Sequence, residues 1–212
     1  MCTGRVDLAF ILRAFEKGAD GVIIGGCWPG ECHYVTEGNY DALGNMYLCR
    51  KLLGHIGLDP ARLRLEWIAA SEGTRFAEVM SDFAEAIKKL GPIGSAEGIE
   101  PSALERKLAA ASRLVPYLKL VEREKLRVPA KTETAYSEFW KSEETGQLFV
   151  ELVAEQLEVS QILQLLRRGP LSTGEIAREI GLSSSAVAQH MNRSSNRGLV
   201  RYDQERGTYG LA

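Results

Sequence analysis

The chain has 212 residues, of which 45% are hydrophobic and 25% are charged, and its formal net charge at pH 7 is -2. This composition is typical of a soluble globular protein and allows one large domain or two small ones. The nearly balanced charge excludes a general attraction to nucleic acid or to an anionic membrane, and no apolar run approaches the roughly 18 residues of a membrane-spanning helix.

The four cysteines, Cys2, Cys27, Cys32 and Cys49, all lie in the first quarter of the chain. The N-terminal residues lack a basic stretch followed by an apolar core, so we expect no secretory signal and a cytoplasmic, reducing location. In that compartment a group of cysteines indicates metal or redox chemistry more often than disulfide bonds. We therefore look for the chemistry of this protein in its N-terminal part.

In chain order, the elements predicted for residues 1–94 alternate between helix and strand. Asp7 can cap the first helix and Gly18 ends it. The alternation predicts a parallel sheet, because a helix then connects each strand to the next. We expect an α/β fold, a truncated flavodoxin-like parallel sheet. Its elements are helices over Leu8–Lys17, Tyr40–His55 and Glu72–Leu90 and strands over Gly21–Ile24 and Leu63–Ala69. The apolar face of the last helix carries Phe76, Val79, Met80, Phe83 and Ile87.

The start of the chain has the pattern of a segment that follows a strand. Cys2 is succeeded by Thr3-Gly4 and then by the first helix, without a strand before it. We therefore expect that one or more strands that should pair with Val22–Ile24 are missing from this sequence.

Residues 95–157 are predicted to form a helical connector, bent at Pro116 and interrupted at Pro129–Thr134. This region shows no catalytic grouping. From residue 158 to residue 212 the pattern predicts a winged helix-turn-helix. Ser183 caps its third helix, Gly181 makes the tight turn before it, and a hairpin follows.

The segment Gly21–Tyr34 contains the densest chemistry of the chain. A short apolar strand ends at Gly25-Gly26, and a loop with Cys27 and Cys32 follows. In open α/β sheets, ligands bind at this end of the strands. A C-x4-C loop that contains proline and glycine can wrap an iron–sulfur cluster, although the spacing alone is weak evidence. Cys2 would end a neighbouring strand, so three thiols can converge at one sheet edge.

Other interpretations of these residues stay open. The cysteines can be inert buried thiols, or they can bind zinc, which takes three Cys and one further Cys or His. Cys49 lies in the middle of a helix beside apolar residues, which favours a core thiol over a ligand. His33 can be a ligand, an outer hydrogen-bond donor to a ligand, or a packed structural histidine next to Tyr34.

Five motifs resemble the delta-subunit family of methyl-viologen-reducing hydrogenase. They occur in the family's order over about Met1–Gly94. The motifs are M-C-T-G-R at Met1–Arg5, A-F-E-K-G-A-D-G-V at Ala14–Val22, G-G-C-W-P-G-E-C-H-Y at Gly25–Tyr34, E-G-N-Y at Glu37–Tyr40 and R-L-E-W-I-A-A-S-E-G at Arg64–Gly73.

The resemblance implies a 2Fe-2S cluster, with Cys2, Cys27 and Cys32 as ligands. It also implies that the chain relays electrons between a hydrogenase or dehydrogenase and the flavin subunit of a heterodisulfide reductase-type, electron-bifurcating complex. The family has a preceding segment with further cysteines that this sequence lacks, so a fourth thiol would come from Cys49 or from another chain. The winged helix is a second departure from the family pattern.

The predicted recognition helix of the winged helix offers Ser184, Gln189, Arg193 and Arg197 for contacts to bases or phosphates. From residue 158 to the end there are seven arginines and five acidic residues, a balance of +2. This is weak for an autonomous DNA-binding domain. We therefore favour a role in complex assembly, with a redox-responsive DNA-binding regulator as the alternative.

Overall fold

A computed structural model describes residues 2–212, and it begins with an α/β unit. Strands β1 and β2 pair in parallel, with Ile24 opposite Leu65. The predicted order of three helices and two strands, and their parallel pairing, are confirmed. The elements are α1 (Leu8–Glu16), β1 (Val22–Gly26), α2 (Gly38–His55), β2 (Leu63–Trp67) and α3 (Gly73–Leu90). Two strands do not define the strand order of a larger sheet, so the flavodoxin-like assignment stays a prediction.

Helix α1 shows how local sequence determines this unit. The Asp7 carboxylate accepts a hydrogen bond from the Ala9 N–H at 2.9 Å, which satisfies a free donor of the first turn. One face of the helix is fully buried because its apolar residues recur at helical spacing. These residues are Leu8, Ile11, Leu12 and Phe15.

Helix α3 differs from the sequence prediction in how much of its apolar face is covered. Val79 and Phe83 are buried, but Phe76 is 55% exposed and Met80 is 37% exposed. The periodicity identifies the apolar face correctly. Which residues on that face are covered depends on the neighbouring elements.

Arg62 is the largest fully buried side chain, and it ties the two strands to the segment after α3. Its guanidinium donates hydrogen bonds to the carbonyl oxygens of Asp20 and Gly91, each at 2.9 Å. It also donates to the Glu97 carboxylate at 2.6 and 3.1 Å. This network satisfies a buried charge, which would otherwise be very costly.

The connector consists of several helices that pack on the α/β unit. A break at Leu114 replaces the predicted bend, and Pro116 lies in the first turn of the following helix, where its missing N–H costs nothing. Apolar residues of the connector share one core with those of α2. The elements are α4 (Pro101–Arg113), α5 (Val115–Lys125), α6 (Glu133–Lys141), α7 (Glu143–Phe149), a π-helical turn (Val150–Ala154) and α8 (Glu155–Leu166).

The C-terminal residues form a helix-turn-helix followed by a hairpin, as predicted. Ser172 and Glu175 form a capping box, and Gly181 adopts a left-handed φ of 75° at the turn. A second core begins at Ile162, so α8 contributes to both cores. The elements are α9 (Thr173–Ile180), α10 (Ser184–Asn196), β3 (Val200–Asp203) and β4 (Thr208–Leu211).

None of the helices within residues 2–212 combines the length and the apolar character that crossing a bilayer requires.

Candidate functional site

Two of the predicted thiols lie next to each other. The sulfur atoms of Cys2 and Cys32 are 3.5 Å apart, although 30 positions separate them in the chain. A disulfide would need about 2.05 Å. Two thiolates on one tetrahedral metal, with metal–sulfur bonds of about 2.3 Å, lie about 3.8 Å apart. The separation therefore fits one edge of a tetrahedral metal site.

The backbone beneath this sulfur pair is formed by glycines. Gly38 is the first residue of α2, and a Cβ at this position would lie 2.8 Å from the Cys2 sulfur and closer still to the Cys32 sulfur. A Cβ on Gly4 would lie 2.6 Å from the Gly38 carbonyl oxygen. Only glycine at both positions lets the Cys2 segment lie directly on the start of α2.

The chain around Cys2 is also fixed to the end of β1. The Thr3 hydroxyl donates a hydrogen bond to the Gly25 carbonyl oxygen at 2.9 Å. A Cβ on Gly26 would lie 2.8 Å from the Trp67 ring. The Cys2 segment and the end of β1 therefore meet at the carboxyl end of the sheet, where the sequence predicted a ligand site.

The loop that carries Cys27 is held by two side chains from other elements. Asn39, which is buried, donates from Nδ2 to the Cys27 carbonyl oxygen at 2.5 Å. The Trp28 indole N–H donates to the Glu72 carboxylate at 2.7 Å. Hydrogen bonds from the Ala69 N–H and from Trp28 hold the pKa of Glu72 below its ordinary value. The loop entry is thus anchored to both α2 and the β2–α3 connection.

The structure does not gather all of the predicted ligands. Within residues 2–212 no three Cys, His, Asp or Glu side chains lie close enough together to hold a metal ion. Cys27 is half-buried and stands apart from the Cys2–Cys32 pair. His33 is exposed, and its ring centre lies 5.1 Å from that of Tyr34. The ligand roles of Cys27 and His33 stay predictions.

Cys49 lies in the apolar core of α2 rather than at the sulfur pair. Its side chain has no exposed area, and burial raises the pKa of its thiol to about 12. A thiol in this environment stays protonated and has the character of a small apolar side chain. The geometry therefore agrees with the core interpretation that the sequence favoured.

Sequence reasoning missed two residues that shape the site. Gly38 makes room for the sulfur pair, and Asn39 holds the Cys27 carbonyl group. Both belong to the E-G-N-Y motif, which contributed only to the family resemblance. A glycine followed by asparagine at a helix start was the available signal, because neither residue favours a helix interior.

An open cavity of about 920 Å³ lies beside Cys2. Phe10 and Tyr34 line it and are 65% and 55% exposed. The ion pair between Asp7 and Lys119 lies at its rim. The cavity gives another molecule access to Cys2.

The winged helix presents its predicted recognition residues to solvent. Ser184, Gln189, Arg193 and Arg197 are all exposed on or directly after α10. Arg193 pairs with Glu155 at 2.9 Å.

Two further polar contacts join the winged helix to the helices before it. The buried His190 ring contacts the Glu158 carboxylate at 2.7 Å, and Arg106 of α4 contacts Glu179 of α9 at 3.0 Å. The recognition helix is therefore docked against α8 while its outer face stays open.

Comparison with known proteins agrees with the motifs at the sulfur pair. Residues 1–91 match the family model of methyl-viologen-reducing hydrogenase, delta subunit. The vhu iron-sulfur subunit of the F420-non-reducing hydrogenase of Methanopyrus kandleri is 35% identical over 92 residues, which cover 43% of this chain and 69% of that relative. The chain belongs to the delta-subunit family of methyl-viologen-reducing hydrogenase. The resemblance stated from the sequence is confirmed.

Other relatives of this delta-subunit family member carry related names. The iron-sulfur subunit of the F420-non-reducing hydrogenase of Archaeoglobus profundus is 57% identical over 91 residues, which are 43% of this chain and 66% of that protein. One subunit of the CoB-CoM heterodisulfide reductase of Methanosarcina acetivorans, named as ferredoxin- and F420H2-dependent, is 46% identical over 95 residues, which are 45% of this chain and 12% of that protein. The chain thus spans less than two thirds of both relatives.

The C-terminal part of this delta-subunit family member matches a different model. Residues 158–202 match the arsR family of bacterial regulatory proteins. The match agrees with the winged helix-turn-helix seen in the structure.

Proposed function

We propose that the chain is an iron–sulfur electron-transfer subunit. Cys2, Cys27 and Cys32 would hold a 2Fe-2S cluster, which supplies a one-electron carrier when it is bound. The observation that carries the proposal is the Cys2–Cys32 sulfur separation of 3.5 Å above Gly38, in a member of the delta-subunit family. Zinc on the same thiols is the competing occupant.

The names of the relatives suggest the partners. We infer that the chain works in the cytoplasm with a hydrogenase or dehydrogenase subunit and with the flavin and iron–sulfur subunit of a heterodisulfide reductase-type complex. Electron bifurcation would then be chemistry of the partner's flavin. The cavity beside Cys2 supports this proposal, because a partner needs access to the site for electron exchange.

The test is anaerobic purification of the full chain, followed by iron and sulfide analysis and by absorption and electron paramagnetic resonance spectra. We expect the spectra of a reducible 2Fe-2S cluster that is lost in Cys27→Ser and in Cys32→Ser. Cys49→Ala is the matched control, and its spectra should be unchanged because this thiol lies in the core. A colourless protein that contains stoichiometric zinc would contradict the proposal.

A second candidate function is redox-responsive DNA binding. The arsR-family match and the exposure of Ser184, Gln189, Arg193 and Arg197 favour it. The expected result is sequence-dependent, salt-sensitive binding to duplex DNA that changes when the thiols are oxidised and weakens in Arg197→Ala. Absence of binding at low salt would remove this candidate and leave the winged helix with a role in complex assembly.

A further inference from the structure

Helix α2 begins directly beneath the sulfur pair. Its first residue is Gly38, and a Cβ there would meet both the Cys32 and the Cys2 sulfur atoms at less than 3.0 Å. Non-bonded heavy atoms pack at about 3.5–4.0 Å, so any side chain at this position would force the sulfurs apart or away from the helix.

We propose that Gly38 is the positioning residue of the site, which sets the separation of the Cys2 and Cys32 sulfurs by leaving the start of α2 bare. The inference rests on the proposed iron–sulfur function for its meaning, but the separation itself can be measured without a cluster. Gly38 is not needed for backbone conformation, because its φ is not among the positive values of this chain. Close approach is the remaining reason for glycine here.

The next residue serves the other half of the loop. Asn39 is 4% exposed and holds the Cys27 carbonyl oxygen. Two consecutive residues of the E-G-N-Y motif thus contact all three of the family-matched cysteine segments. This assigns a physical role to Gly38 and Asn39 of the motif.

The chain provides a matched control for the role of Gly38. Gly73 is the first residue of α3, which has 18 residues like α2. A Cβ on Gly73 would meet nothing within 4 Å. Gly73→Ala therefore makes the same change at the same helix position without touching sulfur.

The first measurement uses the metal-free full chain and the oxidant diamide. Two thiols give two protons and two electrons to the azo bond of diamide, which becomes a hydrazine, and one disulfide forms. Peptide mass mapping follows the Cys2–Cys32 disulfide with time. We expect Gly38→Ala to form it at least about fivefold more slowly than the wild type, and Gly73→Ala to form it at the wild-type rate. Equal rates in the two variants would overturn the proposal.

The second measurement shows whether the sulfurs cause the effect of the new methyl group. We expect Gly38→Ala to lower the Tm by about 5 °C in the wild-type background. Overpacking lowers the free energy of unfolding, and in a protein of this size that loss corresponds to a Tm shift of a few degrees. In a Cys2→Ala/Cys32→Ala background the same change should leave the Tm unchanged or raise it. An equal fall of the Tm in both backgrounds would contradict the proposal. The same comparison shows whether poor folding of Gly38→Ala is caused by its contact with the sulfurs.

The third measurement is the iron and sulfide content after anaerobic reconstitution, which should fall severalfold in Gly38→Ala and not in Gly73→Ala. If the wild type takes up no cluster, the proposed function fails. The disulfide rates and the Tm values still decide the role of Gly38 in that case. If the wild type takes up a cluster and Gly38→Ala retains it fully, the positioning role fails while the function stands.

Discussion

Replacing Arg62 by methionine should destabilise the protein more than any surface change. The guanidinium is fully buried and donates to the Glu97 carboxylate and to the carbonyl oxygens of Asp20 and Gly91. Methionine fills much of the same volume, so the cavity contribution stays small. The loss comes from the polar groups that remain without a partner. Breaking a buried ion pair by removing one member typically costs about 3–5 kcal/mol.

The Glu97 carboxylate keeps some of its hydrogen-bond partners in the variant, and this decides where in that range the expected loss of stability lies. The N–H groups of Asp59 and Gly94 still donate to it, and its side chain is 12% exposed. We therefore expect Arg62→Met to lower the free energy of unfolding by about 3 kcal/mol, at the lower end of the range. Urea unfolding of the full chain, followed by far-UV circular dichroism, measures this difference.

The matched control is an arginine that forms an exposed pair. Arg123 and Glu124 have side-chain exposures of 72% and 55%, so Arg123→Met should change stability by less than about 0.5 kcal/mol. In addition, Arg62→Met/Glu97→Gln should be more stable than the sum of its two single changes implies, because it leaves no buried charge. A loss below about 1 kcal/mol in Arg62→Met, or strict additivity in the double variant, would refute this account of the network.

Three further predictions concern individual groups. Burial alone would raise the pKa of Glu97, but hydrogen bonds from Arg62 and two N–H groups and the Arg62 charge bring it below its ordinary value. The unfolded state then binds the proton more readily than the folded state. The contribution of Glu97 to the free energy of unfolding is therefore present above the ordinary glutamate pKa, and it is lost as the pH falls through the pKa of Glu97 in the folded state. Urea unfolding of the wild type between pH 3 and 6 should show this acid loss, and Arg62→Met should show less of it. Asn39→Ala removes the hydrogen bond to the Cys27 carbonyl oxygen and should free the loop, so iodoacetamide should alkylate Cys27 severalfold faster in the metal-free chain. An unchanged rate would mean that this hydrogen bond does not restrain the loop. Burial raises the pKa of Cys49 to about 12, so its thiol in the folded chain should react with iodoacetamide at pH 8 about 10³-fold more slowly than a free thiol. In urea it should react at an ordinary rate. Ready labelling of Cys49 in the folded chain would contradict its place in the core.

The positions of several elements could be predicted from the sequence because their signals are local. Asp7, Ser172 and Ser183 each cap a helix that begins with the next residue. A capping side chain bonds to an N–H group two or three positions along, so the chain needs no distant partner to form it. The parallel pairing of β1 and β2 follows from the helix between them in the same way.

Partners that are far apart in the sequence could not be predicted. Arg62 and Glu97 are 35 positions apart, and nothing in either segment indicates a buried charge pair. The exposure of Phe76 on an apolar helix face is a second example, because periodicity describes the helix and not its neighbours.

The same distinction holds for the candidate site. The sequence by itself determined the cysteine-bearing loop, the family and the winged helix, since each depends on residues that are close together in the chain. Only the tertiary structure decided that Cys2 meets Cys32 and that Gly38 lies beneath the sulfur pair. These results depend on which backbones approach each other closely, and that is settled when the start of α2 packs against the segments that precede it.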